Sequence, residues 1–556
     1  MNTGDFAIEG RDMFAAPSRK GLLISLLATL IPLSVQAEEV ILPILLPGPA
    51  AIQFRAEARL QKVVERLDQL LDSFWAKNKI KVTDVASDAE FLRRVSLDLI
   101  GQIPLVSEVR EFLASADPHK RKKKIDELLN RPAFLRHYSN ILRREWVPQT
   151  FEQSQNFELL NAGFQFEGWV KQKFKANQGM DQMVREMLTA PTQFARNRPA
   201  VDFNAESSPG AFIQANEFKP ENVAAAASRL FVGIKLECAQ CHNHKFAPYK
   251  QEQFWEQAAF FADVQPAIAN LSDGAWKREI KIPETTKVVQ ATFFDGKKPQ
   301  WKEVGSPREV FVDWLVSESN PYFSKNMANR TWAYFFGYGL IDPIDEPGDE
   351  NQSIIPEVHE ELAKAFLESK FDLRFLMRAI TRSKAYQLSS KKTHESQNEP
   401  RTFSRMSLKG LTAEQIFDSL AVATGYRDSN PEARRFGSFG TPRGDFLVKF
   451  GTTERKTEQQ TSILQALTLM NGKFVNEQTH IEKSRTFAVL VDAPFLNLES
   501  KIEILFLTAL SRKPTQEEME KFSSYVGRGG VSNDKNKALA DVFWALLNST
   551  EFILNH

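Results

Sequence analysis

The residues of this chain that can do chemistry lie together in one heptapeptide, CAQCHNH, which spans Cys238 to His244. It contains both cysteines of the chain, three positions apart, and His242 directly follows the second. This C-x-x-C-H spacing is typical of c-type haem attachment. The two thiols reach the two vinyl groups of the haem, and the imidazole of His242 turns to the iron as the proximal ligand. The pattern therefore predicts a covalent haem at Cys238 and Cys241.

Three other interpretations of the same heptapeptide stay open. The two thiols can be oxidised to a disulfide, although no βαβ pattern of the thioredoxin type surrounds them. A second interpretation places zinc or iron on Cys238, Cys241 and His244, with or without His242, although adjacent Cys241 and His242 would be strained as ligands of one tetrahedral site. The segment can also be an ordinary loop with inert thiols. The candidate cofactors are therefore haem c, another metal (Zn or Fe), or none.

No distal haem ligand and no catalytic residue can be assigned from the sequence. Met180, Met183 and Met187 share one helical face, which is typical of a hydrophobic core. Four scattered histidines are typical of surface or hydrogen-bonded positions: His137, His359, His394 and His480. One loop is rich in carboxylates but lacks the spacing of an EF-hand, so it is typical of a solvated surface: Asp342, Asp345, Glu346, Asp349 and Glu350.

The elements that position the heptapeptide are predicted to be helices. Pro220 opens a helix with many small residues that runs to Gly233. An aromatic helix, QFWEQAAFFA, follows the heptapeptide. We expect these two helices to form the walls of a cofactor site, the second of them through Phe254, Trp255, Phe260 and Phe261.

The fold class is predicted to be mainly α, with two helical domains and a small β-rich insertion between them. Apolar residues recur at a spacing of three and four along much of the chain, which indicates amphipathic helices. We place the N-terminal helical domain, which carries the CxxCH motif, at 55–263, the insertion at 264–305 and the C-terminal helical domain at 306–556. Within the insertion, the alternation of apolar and polar residues at 278–282 and 287–294 predicts a hairpin.

Composition and charge exclude several classes of protein. The apolar share of 42% and the charged share of 25% are ordinary for a globular chain. The 71 basic residues almost equal the 70 acidic ones, so the net charge of +1 predicts no nucleic-acid partner. Two cysteines in 556 residues exclude a scaffold held together by disulfides.

The N-terminus predicts export. A basic pair precedes an apolar run at 21–33, and a V-x-A sequence ends at Ala37. These are the parts of a secretory signal peptide, here 1–37. The run is shorter than the roughly 20 apolar residues that span a bilayer. We therefore expect a periplasmic or secreted protein with no transmembrane segment after cleavage. Met13 would give a more typical leader length than Met1, so either can be the true start.

Two stretches of the chain, 93–112 and 503–522, align without gaps. They share four identities: Leu97/Leu507, Pro104/Pro514, Glu108/Glu518 and Phe112/Phe522. Each predicts a helix, a turn with proline and a second helix. The similarity has two explanations that stay open, an internal repeat and two unrelated helical hairpins with the same capping rules.

Several segments resemble a family of large secreted proteins of planctomycetes and related bacteria, built from a paired set of domains of unknown function. The stretch SRLFVGIKLECAQCHNHKFAPYKQEQFWEQAAFFA resembles its signature, and FLRRVSLDLIGQIP with DELLNRPAF resembles the start of the first domain. PREVFVDWLVSESNPYFSKNMANRTWAYFFGYGLIDPIDE and LTAEQIFDSLAVATG resemble the second. The resemblance runs from about 55 to 556. Lys245 stands where the family usually has Pro, and the separate cytochrome c domain of some relatives is absent here.

The resemblance implies an exported protein linked to redox chemistry, often encoded near sulfatase-like and polysaccharide-handling genes, but it supplies no reaction. The first hypothesis is therefore an exported c-type haem or metal-binding protein with an electron-transfer role and a redox partner protein. In it, Cys238 and Cys241 attach the cofactor and His242 is the axial ligand. The alternative is a binding or scaffolding protein in extracellular polysaccharide handling, whose CxxC loop is structural.

Overall fold

The computed structural model of the chain describes residues 48–150, 157–191, 207–243, 249–264, 276–302, 305–346, 351–427, 441–450, 473–480 and 482–556. The predicted signal peptide, 1–37, lies outside the described residues. The chain divides into two compact units, Met1–Arg59 and Leu60–His556. Of the first unit the structure describes only 48–59, which begin a helix. Apart from the start of that helix, the features described below belong to the second unit.

The first part of the fold is helical. Its helices are α1 (Gly48–Lys77), α2 (Asp88–Ile100), α3 (Val106–Ala114), α4 (Lys120–Leu129), α5 (Pro132–Trp146), α6 (Phe157–Lys175), α7 (Met180–Leu188), α8 (Ala211–Ala215), α9 (Pro220–Ala227) and α10 (Gln251–Ala258). A π-helical turn, Ser228–Val232, continues α9.

The remainder of the described chain is helical as well, so the prediction of a mainly α fold is confirmed. These helices are α11 (Pro307–Leu315), α12 (Pro321–Phe336), α13 (Pro356–Glu368), α14 (Leu373–Arg382), α15 (Lys384–Gln387), α16 (Ala413–Thr424), α17 (Pro442–Phe450), α18 (Lys473–Thr479), α19 (Arg485–Val491), α20 (Leu498–Leu510), α21 (Gln516–Gly527), α22 (Lys535–Leu547) and α23 (Thr550–Ile553). Among the described residues, no helix combines the length and the apolar character needed to cross a bilayer.

The strands that the structure describes form two small antiparallel pairs. Strands β1 (Glu279–Lys281) and β2 (Val288–Gln290) pair with Ile280 opposite Val289, which confirms the predicted hairpin. Val289 is buried and both its neighbours in the strand are exposed, as the alternation of residue types requires. The second pair, β3 (Lys409–Gly410) with β4 (Leu554–Asn555), joins distant parts of the chain and was not predicted.

Two hydrophobic clusters make up the core. The first takes its buried side chains mostly from 60–406, and therefore from both sides of the 264–305 segment. The second takes them mostly from 411–552. Leu97 and Ile103 belong to the second cluster and Leu507 to the first, so each cluster also includes side chains that lie far away in the sequence. The domain bounds inferred from the sequence remain a prediction.

The two aligned stretches form helical hairpins with the same cap geometry. Gly101 after α2 and Ser511 after α20 both adopt a left-handed conformation, with φ of 72° and 60°. The second helix of each hairpin then begins alike, because the side chain of Glu108 or Glu518 accepts from the backbone N–H three residues earlier, at 3.0 and 2.7 Å. Helix α20 packs against α3, so the two hairpins are also neighbours. The shared caps fit both explanations of the sequence similarity, so the internal repeat remains a prediction.

Acid should weaken the second hairpin through Glu518. Arg512 donates to both oxygens of Glu518, at 2.8 and 2.9 Å, and to both oxygens of Glu551. The hydrogen bonds from Arg512 lower the pKa of Glu518 to about 2. A carboxyl with a depressed pKa contributes stability above its ordinary pKa, and that contribution is lost as the pH falls toward its folded value. We therefore expect Glu518→Gln to reduce the loss of thermal stability between about pH 5 and pH 2.

The matched control for this measurement is Glu520→Gln on the same helix, where the carboxylate accepts from the neutral side chain of Gln516 at 3.0 Å in an exposed position. At neutral pH, Glu518→Gln should lower the free energy of unfolding by less than about 1 kcal/mol, because solvent screens a part-exposed ion pair. Equal acid sensitivity of wild type and Glu518→Gln would contradict this account.

Candidate functional site

The predicted haem-attachment residues lie on the surface of the molecule. Cys238 and Cys241 are both exposed free thiols. His242 is exposed beside them. Ala239, between the two cysteines, is fully buried and holds the short 3-10 turn Glu237–Ala239 against the core. The structure therefore places three of the four predicted site residues together, and all three face solvent.

The imidazole of His242 is held in one tautomer. Its Nδ1 lies 2.8 Å from the backbone carbonyl oxygen of Asn243. A carbonyl can only accept, so Nδ1 carries the proton and donates it. The lone pair of a neutral imidazole is then on Nε2. This is the arrangement in which protein histidines bind metals, because the hydrogen bond to the second nitrogen fixes the ring and raises its basicity.

Helix α10 fixes the backbone of the motif. The side-chain amide of Gln251 donates to the carbonyls of Gln240 and Cys241, at 3.2 and 3.0 Å. The indole N–H of Trp255 donates to the carbonyl of Gln240 at 3.0 Å. In return, the side-chain oxygen of Asn243 accepts from the backbone N–H of Gln251 at 3.0 Å, which satisfies a donor at the start of the helix. These hydrogen bonds therefore stabilise both the loop and the start of α10.

The aromatic residues after the motif have a different role from the predicted one. Phe254, Trp255, Phe260 and Phe261 are all buried in the first hydrophobic cluster. Phe260 stacks on Phe293, with ring centroids 5.1 Å apart. These side chains thus build the core under the motif, and Trp255 anchors the loop, so the expectation that they form the wall of a cofactor site is corrected.

The segment before the motif contacts the carboxylate-rich loop that contains Asp345 and Glu346. The backbone N–H of Lys235 donates to the carbonyl of Asp345 at 2.9 Å. The ammonium of Lys235 lies 3.7 Å from the carboxylate of Glu346. Burial raises the pKa of Asp345, and the charge of Arg330 opposes that rise. The two acidic residues predicted farthest along this loop, Asp349 and Glu350, lie outside the described residues.

Gly233 is required where the π turn ends. Its φ is 80°, and a Cβ placed on it would lie 2.7 Å from the side-chain oxygen of Asn326. We therefore expect Gly233→Ala to lower the free energy of unfolding more than a change at a glycine of similar φ. Gly296, with φ of 77° and nothing within 4 Å of an added Cβ, is the matched control.

The expected cost of Gly296→Ala is about 1 kcal/mol, from the left-handed backbone alone. Gly233→Ala should cost at least about 1 kcal/mol more, because the buried Asn326 must shift. Chemical denaturation of the two variants measures the difference. Equal costs would show that the contact with Asn326 does not restrict this position.

The other candidates of the sequence are accounted for by packing and hydrogen bonds. Met180, Met183 and Met187 are fully buried, so the stripe is core as predicted. Three of the histidines have described polar partners: His137 contacts the Tyr334 hydroxyl at 2.9 Å, His359 contacts the Lys325 carbonyl at 2.8 Å, and His394 contacts the Ser396 hydroxyl at 2.9 Å. His480 is exposed.

The metal interpretation that uses His244 cannot be placed, because His244 lies outside the described residues. Within the described part of the chain, no group of three or more His, Cys, Asp and Glu side chains is arranged to hold a metal ion. The zinc or iron site therefore remains a prediction.

A buried polar cluster around Asp98 was not predicted from the sequence. The carboxylate of Asp98 accepts from the ammonium of Lys409 at 2.9 Å, from the amide of Asn555 at 2.7 Å and from the hydroxyl of Tyr386 at 2.8 Å. At most 3% of each of these four residues is exposed. Burial lowers the pKa of Lys409, and Asp98 opposes that change. The cluster ties α2 to the β3–β4 pair, and no local sequence pattern connects its members.

The fold and the site together define a mainly α-helical protein with a surface CxxCH loop held by helix α10. Two family models match the chain: "Protein of unknown function (DUF1549)", also called PSCyt2, over 66–266, and "Protein of unknown function (DUF1553)", also called PSD1, over 307–443 and 434–526. The chain therefore belongs to the planctomycete-type family that pairs these two domains. No curated protein and no solved structure matches it. We call the two matched regions the DUF1549 domain and the DUF1553 domain.

Proposed function

We propose that this chain is an exported electron-transfer protein that carries a covalent haem c on its DUF1549 domain. The observation that carries the proposal is the hydrogen bond from His242 Nδ1 to the Asn243 carbonyl, beside two exposed free thiols. It leaves the Nε2 lone pair as the ligand atom next to both points of attachment. An ordinary loop requires neither two thiols at this spacing nor a fixed tautomer.

The residues present fit the attachment of a haem. Cys238 and Cys241 would form the two thioether bonds, and His242 would supply the axial nitrogen. The haem would supply one-electron chemistry. The chain's own contribution is to keep this geometry, because Gln251 and Trp255 hold the carbonyls between and after the thiols.

Export follows from the same chemistry. Haem is attached to C-x-x-C-H motifs outside the cytoplasm, and the predicted signal peptide at 1–37 would bring the chain there. A one-electron carrier exchanges electrons with another protein, so we include a redox partner protein in the proposal. The surface position of the motif supports such an exchange, since both thiols and His242 are exposed.

An absorption spectrum with metal analysis tests the proposal. The chain should be produced in a strain that matures cytochromes c and, as a control, in one that does not. We expect a Soret band that survives acid–acetone extraction, with iron in the protein, only from the first strain. Zinc without a chromophore would support the structural metal site instead. No metal, together with two thiols that appear only after reduction, would support the disulfide and the scaffolding alternative.

A further inference from the structure

The segment that leads into the CxxCH motif is held by side chains of the DUF1553 domain. On α12, the side-chain amide of Asn326 donates to the carbonyl of Leu230 at 2.6 Å. One turn farther along the same helix, the guanidinium of Arg330 donates to the carbonyl of Arg229 at 2.6 Å. The contacts of Lys235 with the carboxylate-rich loop come from the DUF1553 domain as well.

The backbone hydrogen bonds of the π turn explain why the side chains of Arg330 and Asn326 are needed. In the π turn, the N–H groups of Gly233 and Ile234 both donate to the carbonyl of Ser228, at 2.8 and 3.2 Å. The next N–H, of Lys235, donates to Asp345 instead of back into the turn. The carbonyls of Arg229 and Leu230 are thus at the end of a helix, where acceptors lose their usual partners and must find others. Arg330 and Asn326 provide them.

Arg330 is also the centre of a charge network. Besides the Arg229 carbonyl, its guanidinium contacts the carboxylate of Glu145 at 2.6 Å and that of Asp345. The side chain of Arg229 in turn pairs with Glu237 at 3.4 Å, directly before the first cysteine. The side chain of Arg330 is only 10% exposed, so its charge is compensated mainly by these protein groups. The network therefore reaches the motif from α12.

We infer that Arg330 and Asn326 are positioning residues for the CxxCH motif, so that the DUF1553 domain is a working part of the site. The inference rests on the proposed function only for what the loop binds. The positioning itself concerns the two thiols and the backbone that carries them. It gives a physical reason for the pairing of the two domains, because the DUF1549 domain alone would lack two of the donors that end the π turn.

The test uses the full chain without haem and the variants Arg330→Gln, Arg330→Lys and Asn326→Ala. Arg330→Gln leaves Glu145 and Asp345 without their cation, which can unfold the protein. Asn326→Ala removes only one neutral donor, so it still tests the inference if Arg330→Gln unfolds the protein. Lys325→Ala is the matched control, because Lys325 neighbours Asn326 on α12 and pairs with the exposed Glu360. Circular dichroism and thermal unfolding establish that each variant is folded.

The first measurement is hydrogen exchange of the peptide 228–243. In Asn326→Ala and the folded Arg330 variants, we expect its exchange to rise at least about tenfold, with the rest of the chain unchanged, because loss of these donors opens the turn locally. Lys325→Ala should exchange like wild type. Unchanged exchange, or a rise spread over the whole chain, overturns the inference.

The second measurement is the thiol–disulfide equilibrium of Cys238 and Cys241 in glutathione buffers. The two thiols give up two electrons and two protons to one oxidised glutathione, so a disulfide and two reduced glutathiones are formed. The structure shows the contacts of Arg330 and Asn326 with both thiols free. We expect disulfide closure to weaken these contacts, so their loss should shift the equilibrium toward the disulfide by about tenfold. Arg330→Lys, which keeps the charge but loses the fork of donors, should shift it less than Arg330→Gln.

A rise in exchange without a shift of this equilibrium would show that the contacts only stabilise the fold, and would overturn the positioning role. Both readouts use protein that was never exposed to haem maturation. A failure of the haem proposal therefore leaves them interpretable, and a failure here leaves the absorption spectrum interpretable.

Discussion

We expect the variant with serine at both cysteines, Cys238→Ser with Cys241→Ser, to lose all haem that resists acid–acetone extraction. No thiol is then left to form a thioether. Each single serine variant should keep one attachment and bind less haem. His242→Ala should keep the covalent bond but shift the spectrum, because the iron loses its axial nitrogen. Absorption spectra of the variants, made side by side in a strain that matures cytochromes c, measure these effects.

The control for His242→Ala is His480→Ala, which removes another exposed histidine. It should leave the spectrum unchanged. A spectrum of His242→Ala identical to that of the wild type would exclude His242 as the axial ligand. Loss of one equivalent of zinc from any of the Cys238, Cys241 and His244 variants would instead support the metal interpretation.

The largest effect on stability is expected at the buried pair of Asp98 and Lys409. Lys409→Met removes the ammonium that lies 2.9 Å from the Asp98 carboxylate. The buried Asp98 carboxylate then keeps, among the described residues, the neutral donors of Tyr386 and Asn555 but loses its direct ion pair. Breaking one side of such a pair costs about 3–5 kcal/mol of the free energy of unfolding. Chemical denaturation of wild type and variant measures this loss.

Two further variants separate the charge from the packing. Asp98→Leu combined with Lys409→Met removes both charges and should recover part of the stability, since a pair replaced by apolar groups leaves no uncompensated charge. Lys325→Ala, at an exposed ion pair, should cost less than about 1 kcal/mol. A cost for Lys409→Met as small as that of Lys325→Ala would contradict the role assigned to the cluster.

Local patterns were enough to predict the helices and the hairpin. The pairing of Ile280 with Val289 follows from alternation within a few residues, and the burial of Met180, Met183 and Met187 follows from their spacing. Such signals are local because a helix or a hairpin forms between residues that are close in the sequence.

The buried cluster around Asp98 and the contacts of α12 with the π turn could not be predicted, because they join residues that are far apart in the sequence. Lys409 meets Asp98 across 311 positions, and Arg330 meets the Arg229 carbonyl across 101. An arginine or an asparagine in the middle of an amphipathic helix has no local feature that identifies a partner in another domain. The two glutamates that take part in helix caps, Glu108 and Glu518, show the opposite case, since their partners lie three residues away.

The central claim is that Cys238 and Cys241 carry one covalent haem. The most direct test is the intact mass of the full chain produced with cytochrome c maturation, followed by mass analysis of the peptide that contains both cysteines. Our account predicts the added mass of one haem, located on that peptide, with no thiol left to alkylate. A peptide without added mass, whether its cysteines are two free thiols or a disulfide, would contradict it.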